Sequence, residues 1–248
     1  MNNKDLSATM GRQTPQQISS MQSAAEALLA CYAELAADKS HLLSEILHDS
    51  VPRQWAHYPD DDVIDRTNGY QFFYHSHSPE DRDATGEHGH FHVFARQDVH
   101  GDAIDTDTEQ DFLMQLNGEQ PAHANTIHLL CVALDAKGVP TALFTVNRWV
   151  TGDHLLSAAT TLRLLFSFSV HTQHELRINK WLTALLALFR PQIEQLLMER
   201  DKALRKLAEK RRKSDLLEDE SVELLSSIPI DIDLQINWLF SDENATGP

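Results

Sequence analysis

Residues 126–150 read TIHLLCVALDAKGVPTALFTVNRWV, two β-rich runs divided by a short polar turn. Branched and apolar side chains dominate Thr126–Leu134 and Val139–Val150, with Asp135-Ala136-Lys137-Gly138 between them. Such residues suit a pleated, half-buried surface, and Gly138 can supply the positive φ a tight turn needs. The stretch predicts an antiparallel hairpin. Upstream, Tyr70–His77 and His90–Arg96 are short, aromatic and bounded by turn residues, and predict two more strands. The polar segment Ser78–Gly86 between them reads as a mobile loop. Asp60-Asp61-Asp62 lacks the spaced oxygen ligands and glycine of a calcium loop, and reads as a helix N-terminus or a solvated turn.

The flanks have a helical period. Thr14 as N-cap, Pro15 at the first helical position and Gln17 as its capping-box partner start one helix. Ile18, Met21, Ala25, Leu28, Leu29, Tyr32 and Leu35 follow at helical spacing. A second helical stretch runs from His41 to about His48. Beyond the hairpin, a helical half begins near Leu155, with Leu162–Phe168 and Ile178–Phe189 apolar and Pro191 restarting a helix that runs to Lys213. Residues 98–119 carry seven acidic and no basic residues, suggesting a solvated excursion with one amphipathic piece near Phe112–Leu116.

The fold class expected is α+β: a small antiparallel β-sheet over about residues 70–150, flanked by N-terminal and C-terminal helices. The organisation expected is a disordered leader at 1–13 and a single α+β domain at 14–213. Its histidine-rich β core spans 55–152 and its helical half 155–213. A partly ordered acidic tail follows at 214–248. Eight Lys or Arg crowd Arg200–Lys213, and nine acidic residues without a basic one follow them. That asymmetry suggests an electrostatic match within the chain or between subunits, leaving a homodimer or protein partner through residues 200–213 and the tail as a further expectation.

Six of the fourteen histidines fall between His75 and His100. Alternate residues of a strand share a face, so His75 and His77 on one strand and His90 and His92 on its neighbour can converge. Residues two apart lie roughly 6.6–6.8 Å apart at Cα, close enough for both imidazoles to reach one ion at about 2.0–2.1 Å. His88 and His92 span roughly 13 Å, too far for one ion unless a bulge intervenes at Gly89. The expected metal ligands are therefore His75, His77, His90 and His92, with His128 as an additional ligand or a supporting group. Glu87 or His88 would move protons, and Glu87 in place of one histidine would give the two-His, one-carboxylate set of open iron(II) sites. Arg148, beside Trp149, would orient a small anionic substrate. A haem held by an axial histidine among Phe72, Phe73, Tyr74, Phe91 and Phe94 is the alternative use of the same residues.

Other chemistries lack their signatures. There is no GxGxxG after a strand, no P-loop, no GxSxG elbow and no HExxH. Cys131 lies in an apolar run and reads as inert core. A net charge of −16 argues against sequence-independent nucleic-acid binding and against anionic membranes. The first residues lack a hydrophobic targeting core and no apolar run is long enough to span a bilayer, so a cytoplasmic protein is expected.

His57-Tyr58-Pro59, Tyr74-His75-Ser76-His77, Glu87–His92 and Asn147–Gly152 together resemble an uncharacterised family of bacterial cytoplasmic proteins. The likeness covers most of residues 50–235, including Phe189-Arg190-Pro191-Gln192 and Ile230–Gln235. It implies a conserved-domain bacterial protein and carries over no activity. From the residues themselves, the leading expectation is a metal-dependent enzyme, with non-haem iron favoured and zinc or copper as alternatives, of the oxidase or oxygenase kind. The rival is a non-catalytic protein that binds or delivers a metal or haem; a structural protein with incidental histidines is the third reading.

Overall fold

Helix α1, Pro15–Ala37, starts as its sequence dictates. Thr14 Oγ1 accepts from the Gln17 N–H at 3.3 Å, and Gln17 Oε1 accepts from the Thr14 N–H at 2.8 Å, satisfying two otherwise orphaned donors. In the computed structural model, residues 6, 9–48, 50–53, 56–77, 86–121, 123–210 and 216–241 are described. The buried stripe of α1 runs Met21, Ala24, Ala25, Leu28, Cys31 and Leu35, while Leu29 is about half exposed. Helix α2, Leu42–Leu47, is capped by the His41 side chain.

Six strands then form one antiparallel sheet in sequence order: β1 His57–Asp65, β2 Tyr70–Ser76, β3 Glu87–Arg96, β4 Thr126–Asp135, β5 Pro140–Val146 and β6 Leu224–Pro229. The expected hairpin is β4–β5, and Gly138 turns it at φ +77°. The α+β architecture is as the pattern predicts, but the sheet is wider than residues 70–150. Asp60-Asp61-Asp62 is neither helix start nor free turn. It sits in a bulge of β1, with Asp62 at φ 53°, its carboxylate against His57 at 2.9 Å and accepting from Gln71 at 2.8 Å. The segment expected as a mobile loop, 78–86, lies outside the described residues except for Gly86.

Short helices α3, Gln97–His100, and α4, Thr106–Leu116, join β3 to β4. The acidic excursion is thus largely helical, because Asp105 caps α4 and Phe112, Leu113 and Leu116 bury one side of it. After β5 come α5 Arg148–Thr151, α6 Ala158–Phe166, α7 Leu176–Leu188 and α8 Arg190–Lys210. β6 and helix α9, Ile232–Leu239, are built from the acidic tail. Leu216, Leu217 and Leu225 of that tail pack with Leu204 and Ala208 of α8, so the described contact is apolar. The described tail residue Glu218 meets Arg148 at 2.7 Å, and Arg200 is buried against Asp201 and the Leu156 carbonyl.

The sheet has two unlike faces. Phe72, Tyr74, Phe91, Val93, Leu130, Val132, Leu134 and Leu143 enter the main core with Leu28, Trp181, Leu185 and Phe189 of the helices. Phe73, His75, His90, His92, Phe94 and Cys131 alternate with them and point away from that core. Each aromatic or aliphatic side chain buried on the first face contributes about 1.5–3 kcal/mol, which pins the register of strands whose second face carries polar groups. No helix among the described residues is long and apolar enough to cross a membrane.

Candidate metal centre

Pairing in the sheet brings the histidines together. His75 lies opposite His90 across β2 and β3, and His92 lies opposite Cys131 across β3 and β4. Two bulges complete the set. Against β4, Glu87 pairs with Asp135 and Gly89 with Leu134, leaving His88 as an extra residue. That insertion turns Glu87 onto the face of His90 and sends His88 to the opposite face, where its Nδ1 lies 2.8 Å from the Tyr74 hydroxyl. In β4 the extra residue is Leu129, since Val93 pairs with Leu130 and Phe94 with His128. Leu129 and Leu130 both enter the core, and His128 therefore falls in phase with Cys131.

The donors form two groups. At the outer edge His77 Nε2 lies 3.1 Å from His90 Nδ1, Glu87 Oε1 lies 2.6 Å from His90 Nδ1, and His77 Nε2 lies 3.5 Å from Glu87 Oε1. The His75 ring sits 4.7 Å and 4.8 Å from the rings of His77 and His90. Deeper in, His92 Nδ1 lies 3.2 Å from His128 Nε2 and 3.4 Å from Cys131 Sγ, with Cys131 Sγ 3.5 Å from His128 Nε2. His90 Nε2 and His92 Nε2, 2.9 Å apart, connect the groups. Metal–nitrogen bonds of about 2.0–2.1 Å place two donors roughly 2.9 Å apart at a right angle and about 3.3–3.4 Å apart at a tetrahedral angle. Apart from the Glu87–His90 contact, which at 2.6 Å is a hydrogen-bond length, the observed spacings are close to that size, so this buried His/Cys cluster could hold a transition metal.

Aromatic rings wall the cluster. Phe73 stacks on His57 at 3.7 Å and on His92 at 4.9 Å, and Phe144 meets His90 edge-on at 5.0 Å. Burial, with neighbouring histidines adding to it, holds His75 down to about 3 and His92 well below the ordinary imidazole range. Burial, then His90 and Arg200, holds His128 down to about 3. Burial pushes the Cys131 thiol well up. Neutral imidazole is the ligating form, so burial favours binding over protonation at the histidines, whereas at Cys131 the same burial favours the thiol until a cation stands beside it. A consequence follows for the metal-free protein. The unfolded imidazoles take up protons near 6.5, while the folded ones resist to about 3, so between those values the unfolded state binds more protons. Stability should therefore be full above pH 6.5 and fall steadily on acidification towards pH 3. Urea midpoints measured with chelator at several pH values check this, and a midpoint flat from pH 7 to 4 contradicts it.

Of the eight residues singled out in the sequence, the structure assembles His75, His77, Glu87, His90, His92 and His128. It places His88 with Tyr74 on the other face, and ties Arg148 to Glu218. Arg148 is buried, and its Nε donates to Glu218, so it stands apart from the assembled donors. Cys131, read as inert core, stands among the donors instead. Strict alternation puts residues 128 and 131 on opposite faces, and only the Leu129 bulge reunites them.

Gly89 shows why the run Glu87–His92 contains a glycine. A Cβ there would lie 2.3 Å from the His75 carbonyl oxygen and 2.8 Å from the Ser76 Cα, both backbone atoms. Gly89→Ala should push β2 from β3, costing about 1–3 kcal/mol and weakening metal retention. Thermal unfolding and metal analysis of the variant check both, and wild-type behaviour in each would contradict the close approach.

Comparisons with known proteins carry no reaction to this site. A search of the curated proteins and a search of the solved structures each found no match. A family model described as "Domain of unknown function (DUF6969)" matches residues 22–230, a span that runs from within α1 through β6 and takes in every donor named above, and the chain belongs to that family.

Proposed function

We propose that this protein is a metal-dependent enzyme that uses non-haem iron(II) at the outer group, in oxidase or oxygenase chemistry on a small molecule. One observation carries the reading. His77 Nε2, His90 Nδ1 and Glu87 Oε1 form a triangle with edges of 3.1, 2.6 and 3.5 Å, the two-His, one-carboxylate set associated with open iron(II) positions. His75 stands beside it as a further imidazole. The side chains of His77 and Glu87 are 27% and 19% exposed, which supports access to the ion from that side.

Bound iron would supply a Lewis acid and an electron source at that rim. His90 would hold the ion through Nδ1 while its Nε2 faces His92, and Glu87 would add a negative charge that favours the cation. Haem fits the same residues less well. The histidine rings stand only 4.6–4.9 Å from their neighbours in the group, a gap suited to an ion and too narrow for a macrocycle.

The test loads untagged, metal-stripped protein with Fe(II) without oxygen and adds nitric oxide. One retained iron giving the half-integer-spin resonance of an iron–nitrosyl is expected, and a Glu87→Gln variant should lose most of it. Iron that is retained but silent to nitric oxide would mean a closed site and turn the reading to storage or delivery. Failure to retain iron while zinc is held would turn it to hydrolysis.

A further inference from the structure

The inner group matches an ion more closely than the outer one. Its three donors, His92 Nδ1, His128 Nε2 and Cys131 Sγ, close a triangle with edges of 3.2, 3.4 and 3.5 Å. Tetrahedral bonds of about 2.0–2.1 Å to nitrogen and about 2.3 Å to sulfur predict nitrogen–nitrogen edges near 3.3–3.4 Å and nitrogen–sulfur edges near 3.5–3.6 Å. All three edges agree within roughly 0.2 Å of those values. All three side chains are buried: Cys131 at 0% exposure, His92 at 4% and His128 at 8%.

His77 and Cys131 cannot share one ion, although His90, His92 and Cys131 also offer ligand atoms within 4.8 Å of one another. His75 and His77 stand on or just beyond β2, whereas Cys131 stands on β4, two strand spacings or about 9.4–9.8 Å away. A cysteine side chain is too short to cross that gap. Only β3, lying between them, contributes to both: His90 turns Nδ1 outward to Glu87 and His77, and His92 turns Nδ1 inward to Cys131 and His128. Their remaining nitrogens meet at 2.9 Å, where one ring donates its N–H and the other accepts.

We propose that His92, His128 and Cys131 form a second metal position, taking a thiophilic first-row ion of the zinc or copper class with two imidazoles and one thiolate. The outer ion, on the reading given above, would then be joined to it through the His90–His92 hydrogen bond. Two histidines and a cysteine suit zinc with a further ligand, and equally a trigonal copper centre with a weak axial one. One proton lies between the two Nε2 atoms: the donating ring would hold its ion through Nδ1 as a neutral imidazole, and the accepting ring must give up its Nδ1 proton to solvent and ligate as imidazolate, so filling both positions releases that proton.

Cobalt(II) titration of the metal-stripped full chain tests this, because cobalt bound to a thiolate shows a charge-transfer band that a nitrogen and oxygen site lacks. Two equivalents are expected, with the band belonging to one. Cys131→Ala should remove the band and leave one equivalent; Cys31→Ala should change neither; His77→Ala should remove the other equivalent and keep the band. Should Cys131→Ala fold poorly, the band in the wild-type protein and its loss in His128→Ala still decide. One equivalent that carries the band upholds the inner position and defeats the outer reading. Binding without the band, or a band that survives Cys131→Ala, overturns the inner position, and no binding overturns both. Elemental analysis of protein as isolated from cells then separates zinc from copper.

Discussion

Replacing His90 by alanine is expected to abolish retention of the iron proposed for the outer position, lowering affinity there by on the order of 100-fold or more. Supporting groups beside a metal already contribute 10- to 100-fold, and His90 is at once a donor and the partner of Glu87 and His77. Its removal would leave the Glu87 carboxylate without its 2.6 Å contact and open the edge of the triangle. The fold should survive, because His90 lies on the face turned away from the helical core and is not among the residues that build it. Iron analysis after equilibrium dialysis against a chelator, paired with far-UV circular dichroism, measures the two effects separately. A variant that keeps wild-type iron would exclude His90 as a principal donor.

The neighbouring residue should behave in the opposite way. Phe91 is fully buried, with its ring 5.2 Å from Tyr74 and 5.8 Å from both Phe72 and Trp181. Phe91→Ala removes a large apolar group from a junction between sheet and helices, and a cost of about 3–5 kcal/mol is expected. Against a typical total of 5–15 kcal/mol this is a large part of the stability. Urea unfolding should show a lower midpoint at unchanged slope, while metal stoichiometry under native conditions stays that of the wild type. A cost under about 1 kcal/mol would mean that the sheet does not rest on the helices at this point. His90 and Phe91 are adjacent in sequence and opposed in effect, since consecutive side chains of a strand face opposite ways.

Much of the fold was legible residue by residue. The capping box at Thr14, the β4–β5 turn at Gly138 and the strand Tyr70–Ser76 follow from local chemistry acting over a few positions. β1 was not legible, because Asp60-Asp61-Asp62 reads as a solvated turn and is accommodated only by a bulge that pairs Asp62 with His57 and Gln71. β6 was hidden in an acidic tail: its place depends on pairing with Val146 and its neighbours, nearly eighty residues earlier in the chain. Of the site, the convergence of His75, His77, His90 and His92 follows from alternation in two paired strands.

The sorting of those donors belongs to the tertiary structure. One extra residue at His88 exchanges the faces of Glu87 and His88, and one at Leu129 brings His128 into line with Cys131. A bulge is chosen by the partner strand and by what each face must bury, so its position cannot be read from the strand that carries it. Period-two alternation sufficed to say that imidazoles would meet. Which carboxylate and which thiol stand beside them was decided by the packing of β3 between its two neighbours.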